Sequence, residues 1–214
     1  MTPRVIWYLI LFGCDILTIV LMILHSIKDQ LFIDNCLLNI NFWVLLGGLI
    51  YWGYMMLSEM AESGESNKGT ETFLGGQRTQ FMTDTLFKYI FSIVIGITLV
   101  NGLFTHSFGN SLFEIIQSLY TNYLFPAACI AEIFLRNRNR SPAPVKDIII
   151  LLIIFGVSFV LHFLKQFSFK FLTDNLALYI CQAIGVIIAY FLYDILVYIK
   201  IQGTWAGYTF LSSN

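Results

Sequence analysis

The chain has 214 residues, of which 57% are hydrophobic and only 12% charged, and its mean hydropathy is +0.76. So little polar surface cannot cover a soluble globule of this length, which excludes an ordinary soluble domain and favours an integral membrane protein. The net charge of −1 excludes little by itself, but nucleic acid is not an expected partner.

Six apolar segments are long enough to cross a bilayer, which takes about 20 residues at about 1.5 Å per residue. Continuous apolar runs are typical of helices, whereas the strands of a membrane barrel alternate. The sequence therefore predicts an all-α integral membrane protein in which residues 1–214 form one bundle of six transmembrane helices. The predicted spans are Val5–His25, Leu37–Leu57, Phe87–Thr105, Leu112–Leu135, Ile148–Leu164 and Leu176–Ile199.

The first span has no small-residue cleavage site after it, so we expect it to be retained. Between spans two and three, Ser58–Thr72 is rich in Glu, Ser and Gly without apolar periodicity and predicts a flexible cytosolic loop. The next segment, Phe73–Phe87, has mixed polarity and predicts a short interfacial helix that leads into the third span.

The positions of the Lys and Arg residues orient the bundle. Three of them, Lys28, Lys165 and Lys170, fall on one side. The other side holds nine: Arg4, Lys68, Arg78, Lys88, Arg136, Arg138, Arg140, Lys146 and Lys200. The positive-inside rule therefore places both termini in the cytosol.

Ionisable residues inside the predicted spans need a partner or a functional role, because inserting each one into hydrocarbon costs at least about 2.5 kcal/mol of free energy. Glu132 precedes Arg136 by one helical turn, which favours an ion pair. Asp194 lies near the cytosolic face, where it can meet a cation; for both acids a functional role stays open. Asp15 is about 16 Å from Arg4, near the middle of the bilayer. It is either protonated, paired across the bundle, or part of a wet cavity.

A second polar group lies in the outer half of the predicted bundle. Counting residues along each span brings His162, Thr121, Asn122 and Thr18 to a similar depth, with Asn41 on the same side. These side chains either join helices by hydrogen bonds or line a site. Pro126, in the middle of the fourth span, removes a backbone hydrogen bond and produces either an ordinary kink or a cavity.

The six-span order and its single long polar connection accompany a passage from Leu124-Phe125-Pro126 through Ala131-Glu132 into a basic loop with Ser141-Pro142. His162 near the outer end of the fifth span and Phe191-Leu192-Tyr193 in the sixth add to this pattern. It resembles the androgen-induced-gene family of six-span membrane hydrolases, which cleave fatty acid esters of hydroxy fatty acids. The resemblance implies a role in lipid metabolism in the endoplasmic reticulum or cell membrane, a membrane lipid or acyl ester as ligand, and no cofactor or metal.

The family's threonine nucleophile, near the start of the second span, falls near Asn39–Trp43, and its histidine falls on or beside Thr121. Neither expected residue is present. One reading is a divergent relative without activity. The other is a rearranged catalytic site in which His162 is the base and Thr18 or Thr121 the hydroxyl, with a substrate cavity lined by Asp15, Asn41 and Asn122.

Two classes of function therefore remain open for this chain. The first is a lipid-ester hydrolase, active or divergent, that takes its substrate from the bilayer. The second is a non-catalytic subunit or scaffold whose polar groups join it to membrane-protein partners. A transporter is disfavoured, because paired repeats with Gly-interrupted half-helices are not found in the sequence.

Overall fold

The computed structural model describes residues 2–28, 36, 39–63, 77–104, 112–135, 146–166 and 169–212, and the secondary structure in these ranges is helical. A π-helical turn, Tyr120–Leu124, joins the helices Leu112–Leu119 and Phe125–Leu135 without leaving helical backbone angles, so the three segments form one continuous rod. The helices are α1 (Pro3–Lys28), α2 (Ile40–Ser63), α3 (Gln77–Phe104), α4 (Leu112–Leu119), α5 (Phe125–Leu135), α6 (Lys146–Gln166) and α7 (Phe169–Ser212).

Four helices in the described part of the chain are long and apolar enough to cross a membrane. The qualifying segments are Pro3–Lys28, Ile40–Ala61, Met82–Gly102 and Leu176–Lys200, and a shorter apolar helix covers Asp147–Leu161. Large apolar side chains also point outward from them, for example Ile10 and Leu17 of α1 and Ile184 and Ile188 of α7, each more than half exposed. An outer surface of this kind is suited to lipid. The predicted all-helical class is confirmed for the described residues, and four of their helices are long and apolar enough to cross a membrane.

Aromatic side chains fill the centre of the bundle. Trp52 and Tyr51 of α2 are fully buried. The ring of Tyr51 lies 4.8 Å from that of Phe87 in α3, and Phe87 lies 6.2 Å from Tyr193 in α7. The ring of Tyr8 in α1 stacks on Trp52 at 6.1 Å. This cluster joins α1, α2, α3 and α7 into one core.

Two glycines let α3 and α7 approach closely. A Cβ atom on Gly96 would lie 2.5 Å from the Cα atom of Val186, and one on Gly185 would lie 2.7 Å from the carbonyl oxygen of Gly96. Both distances are shorter than any real Cβ contact, so this crossing requires glycine on both helices. Close backbone approach at small residues is a common way to pack helices in membranes.

Ion pairs at the helix ends show that α2 and the rod that begins with α4 both run antiparallel to α1. The Nη1 atom of Arg4, at the start of α1, lies 3.7 Å from Oε1 of Glu59 near the end of α2. At the opposite end, Nε2 of His25 lies 3.3 Å from Oε1 of Glu114 in α4. The bundle therefore has a distinct end at Arg4 and Glu59, called here the Arg4 end, and another at His25 and Glu114, called the His25 end.

The structure changes two of the predicted boundaries. The helix α2 continues through Ser58–Ser63, the first part of the predicted loop Ser58–Thr72. These six residues contain no glycine, and Glu59 among them pairs with Arg4. The rest of the predicted loop lies outside the described residues. Within the described residues, Gln77–Phe87 is not a separate interfacial helix, because Gln77–Phe104 is one helix without proline; the start of the predicted helix, Phe73–Gly76, lies outside them. The helix α7 continues on both sides of the predicted sixth span, but the bounds of that span, Leu176–Ile199, agree with the apolar segment Leu176–Lys200.

Candidate functional site

Glu132 accepts hydrogen bonds from two other helices. Its carboxylate is fully buried in α5. The hydroxyl of Tyr8 in α1 lies 3.2 and 3.1 Å from its two oxygens, and the hydroxyl of Tyr51 in α2 donates to Oε1 at 2.7 Å. The predicted partner, Arg136, lies outside the described residues. The acid therefore joins α1, α2 and α5 through two phenols whose contact with Glu132 was not predicted from the sequence.

Asp15 is fully buried in α1, about two turns beyond Tyr8. The hydroxyl of Tyr120, in the π-helical turn, donates to its Oδ1 atom at 2.5 Å. Within the described part of the chain, its Oδ2 atom has no hydrogen-bond partner. A Cβ atom on Gly48 would lie 2.8 Å from this oxygen, so the carboxyl group fits against α2 only because residue 48 has no side chain.

The π-helical turn has a local cause in the sequence. Pro126 lacks the N–H group that would bond to the carbonyl of Asn122, and its ring would crowd that carbonyl in a regular α-helix. The N–H of Phe125 instead donates to the carbonyl of Tyr120, five residues back. The wider turn makes room for the proline and directs Tyr120 toward Asp15. Of the two predicted outcomes at Pro126, the structure therefore has a local distortion of the helix within a packed bundle.

The two predicted catalytic threonines are both hydrogen-bonded within their own helices. The hydroxyl of Thr18 donates to the carbonyl of Cys14 at 2.8 Å, and that of Thr121 to the carbonyl of Gln117 at 2.9 Å. Asn122 likewise donates from Nδ2 to Oγ of Ser118 at 3.0 Å. None of these bonds joins the two threonines to each other, and back-bonding of this kind is common for hydroxyls in apolar helices.

His162, the predicted base, belongs to α6, and its side chain lies outside the described part of the structure. α6 packs mainly against α7. Its pairing with Thr18 or Thr121 stays a prediction.

A cavity of about 230 Å³ lies between α2, α3, α6 and α7, toward the His25 end. Asn41, predicted to line a substrate cavity, does line this one, whereas Asp15 and Asn122 do not. The polar side chains among its described lining residues are uncharged, and most of them are amides. The residues are Asn39, Ile40, Asn41, Ile97, Asn101, Phe155, Ser158, Tyr179 and Gln182.

Helix geometry explains how these amides come together. Asn39 caps α2, because its Oδ1 atom accepts the backbone N–H of Asn41 at 2.9 Å. Near the end of α3, Oδ1 of Asn101 accepts from Nε2 of Gln182 at 3.4 Å. Because α3 and α7 cross at their glycines, residues 101 and 182 face each other one helical turn beyond that crossing. Tyr179 and Ser158 are additional lining residues that span-by-span counting did not identify.

A charged cluster lies toward the Arg4 end. The Nζ atom of Lys88 in α3 lies 2.6 Å from Oδ1 of Asp194 in α7 and 3.8 Å from the ring centre of Tyr190. The hydroxyl of Tyr89 donates to Oδ1 of Asp147 in α6 at 3.1 Å. The predicted pairing of Asp194 with a basic residue is confirmed, and its partner is Lys88, whose side chain is only 4% exposed.

Lys200 closes the same end of the bundle. Its Nζ atom donates to the backbone carbonyl of Ile133 at 2.8 Å, in the last turn of α5, where carbonyls lack helical partners. No set of three His, Cys, Asp or Glu side chains in the described ranges is arranged to hold a metal ion.

No protein-family model matches the chain, and no curated protein or solved structure is significantly similar to it. The chemistry that its geometry allows is hydrogen bonding to a neutral polar group in the amide-lined cavity. The buried carboxyl groups of Asp15 and Glu132 lie elsewhere in the bundle, among helices α1, α2 and α5.

Proposed function

We propose that this chain is a six-span membrane protein, with both termini in the cytosol, that binds a neutral lipid ester through the amide-lined cavity. The cavity carries the proposal. It is polar but uncharged, and Ile40, Ile97 and Phe155 stand beside its amides. Six of the nine described lining residues are polar and three are apolar, so the site can hydrogen-bond a neutral polar group beside a short apolar surface.

The six spans and their orientation are supported by helix length and by the position of charge. The rod formed by α4, the π-helical turn and α5 is about 36 Å long, and α6 is about 32 Å long, at about 1.5 Å per residue; both exceed the roughly 30 Å of hydrocarbon. Lys88 and Lys200 lie with Arg4 at one end of the bundle. The excess of basic residues there favours that end as cytosolic, so the cavity faces the other leaflet.

The lining of the cavity favours an ester over a charged headgroup. The amides of Asn101 and Gln182 supply N–H donors that suit a carbonyl oxygen. No basic side chain is among the described residues that line the cavity, and a phosphate or carboxylate would need one when taken out of water. An acyl chain that extends from this cavity outward between two helices would lie in the hydrocarbon of the bilayer.

Hydrolysis of the bound ester is the second candidate function. Ser158 lines the cavity, and His162 follows it by one turn, about 6 Å along α6. One observation argues against hydrolysis. The start of α2 contributes Asn39 and Asn41 to the cavity, whereas the family that this chain resembles would have a threonine there. An amide cannot act as a nucleophile, so binding without hydrolysis is the better-supported function.

Photo-crosslinking tests binding. The full-length protein in lipid nanodiscs is irradiated with a clickable, diazirine-bearing acyl ester while unlabelled ester competes. Each lost hydrogen bond is worth about 0.5–1.5 kcal/mol, so Asn101→Leu and Gln182→Leu should each weaken competition by about three- to tenfold. Asn122→Leu is the matched control, because it removes an amide outside the cavity. Equal competition in all four proteins would refute the binding site.

An activity measurement separates the two candidates. Wild type and His162→Ala are incubated with the same ester, and released fatty acid is measured together with labelling by a fluorophosphonate probe. Binding without release or labelling is the expected result, and it is the behaviour of a non-catalytic subunit or divergent relative. Release by the wild type that His162→Ala abolishes would establish the hydrolase instead.

A further inference from the structure

Asp15 lies deep in the bundle. It is about 16 Å along α1 from Arg4 and about 15 Å from His25, at about 1.5 Å per residue, and these two residues mark opposite ends of the structure. Its side chain is fully buried. No water boundary is therefore near this carboxyl group, and an ionised form would have to be stabilised by its neighbours.

The neighbours of Asp15 supply no positive charge. Tyr120 donates one hydrogen bond, and Gly48 of α2 contributes only backbone. None of the described lysine, arginine or histidine side chains contacts the carboxyl group. The other titratable groups that act on it or face it are neutral or acidic: Cys14 on its own helix, Tyr120 in the π-helical turn, and Cys129 and Glu132 in α5.

The hydrogen bonds of Asp15 also differ from those of a buried carboxylate. Glu132 shows the ionised pattern, with two phenols donating to its two oxygens. Asp15 has one donor on Oδ1, and its Oδ2 atom has none among the described residues. This second oxygen is pressed toward the backbone of α2 at Gly48. An oxygen without donors that faces a helix backbone suits an O–H group better than a negative charge.

We propose that Asp15 is a proton-binding site inside the membrane, with the proton held on Oδ2 between α1 and α2. The neutral carboxyl group accepts from Tyr120 through Oδ1 and presents its O–H to α2. This links three elements, α1, α2 and the π-helical turn, without burying a charge. The site is separate from the amide-lined cavity and does not depend on the proposed lipid function.

Infrared spectroscopy tests the proton directly. Full-length protein in nanodiscs is compared with Asp15→Asn and with the control Asp194→Asn, whose carboxylate is paired with Lys88. At neutral pH we expect the wild type to show the carbonyl band of a carboxylic acid. This band should disappear in Asp15→Asn and persist in Asp194→Asn. It should also shift when H₂O is exchanged for D₂O under conditions that open the bundle. Wild type and Asp15→Asn spectra that are identical in this region would overturn the proposal.

Thermal melting distinguishes a proton from a metal cation at the same carboxyl group. Asparagine keeps an oxygen for Tyr120 and an N–H₂ group in place of the O–H, so Asp15→Asn should melt close to wild type. Melting is measured in sodium, potassium and choline chloride at equal ionic strength. Equal melting temperatures in the three salts are expected. A sodium-dependent rise that Asp15→Asn abolishes would show that the site binds a cation and would overturn the proton assignment.

Discussion

Replacing Gly96 by alanine tests the close crossing of α3 and α7. The added Cβ atom would lie 2.5 Å from both the Cα and N atoms of Val186. These are backbone atoms of a helix, so no side-chain rotation relieves the clash. The two helices must move apart along their line of contact.

The size of the effect follows from that distance. Ordinary Cβ contacts begin near 3.4 Å, so α3 and α7 must separate by about 1 Å, and overpacking of this kind costs about 1–3 kcal/mol. The same movement separates Asn101 from Gln182, whose hydrogen bond is already 3.4 Å long. We therefore expect Gly96→Ala to lower both the stability of the bundle and its binding of the acyl ester.

Reversible unfolding in mixed detergent micelles, followed by tryptophan fluorescence, measures the stability. Gly156→Ala in α6 and Gly13→Ala in α1 are matched controls, since a Cβ atom at either position has no neighbour within 4 Å. Alanine is favoured over glycine in a helix by about 0.5–1 kcal/mol, so these variants should be neutral or slightly stabilised. If Gly96→Ala has the same free energy of unfolding as the two controls, α3 and α7 do not cross as closely as described.

Two further predictions use the same unfolding assay. Lys88→Met removes the partner of Asp194, whose side chain is partly exposed, so we expect the free energy of unfolding to fall by about 1–3 kcal/mol. Much of this loss should be recovered in the double variant Lys88→Met/Asp194→Leu. If the losses of the two single variants simply add, the pair is not coupled. Tyr51→Phe keeps its ring but removes the 2.7 Å bond to Glu132, for a loss of about 1–2 kcal/mol. A loss below about 0.5 kcal/mol would mean that the other groups around Glu132 satisfy its carboxylate without Tyr51.

Much of the fold could be predicted because the apolar runs are long and their composition is unambiguous. Leu112–Leu135 was predicted as one span, and the structure forms one continuous rod over the same residues. Boundaries were less predictable where helix-forming residues continue into polar sequence. Ser58–Ser63 remains helical because nothing before Gly64 stops it and Arg4 holds Glu59, which is a tertiary contact that local composition does not contain.

The polar sites could be predicted only in part. Depth along a helix indicated that Asp194 would meet a cation and that Asn41 would lie near a cavity. Depth does not give the direction in which a side chain points around its helix. Tyr8 and Tyr51 reach Glu132 because α1 and α2 rotate their phenols toward α5, and tyrosines in an apolar span give no signal that separates a hydrogen-bonding residue from a packing one.

The helix α2 contacts all of these polar sites in turn. Along its length, Asn41 lines the cavity, Gly48 admits the carboxyl group of Asp15, Tyr51 binds Glu132, and Glu59 pairs with Arg4. The polarity of its contacts thus changes from neutral amides at one end, through the carboxyl group of Asp15, to charge at the other. Since burial of charge is least costly near water, this order agrees with the proposed cytosolic position of the Arg4 end and with the proposed neutral lipid site at the His25 end.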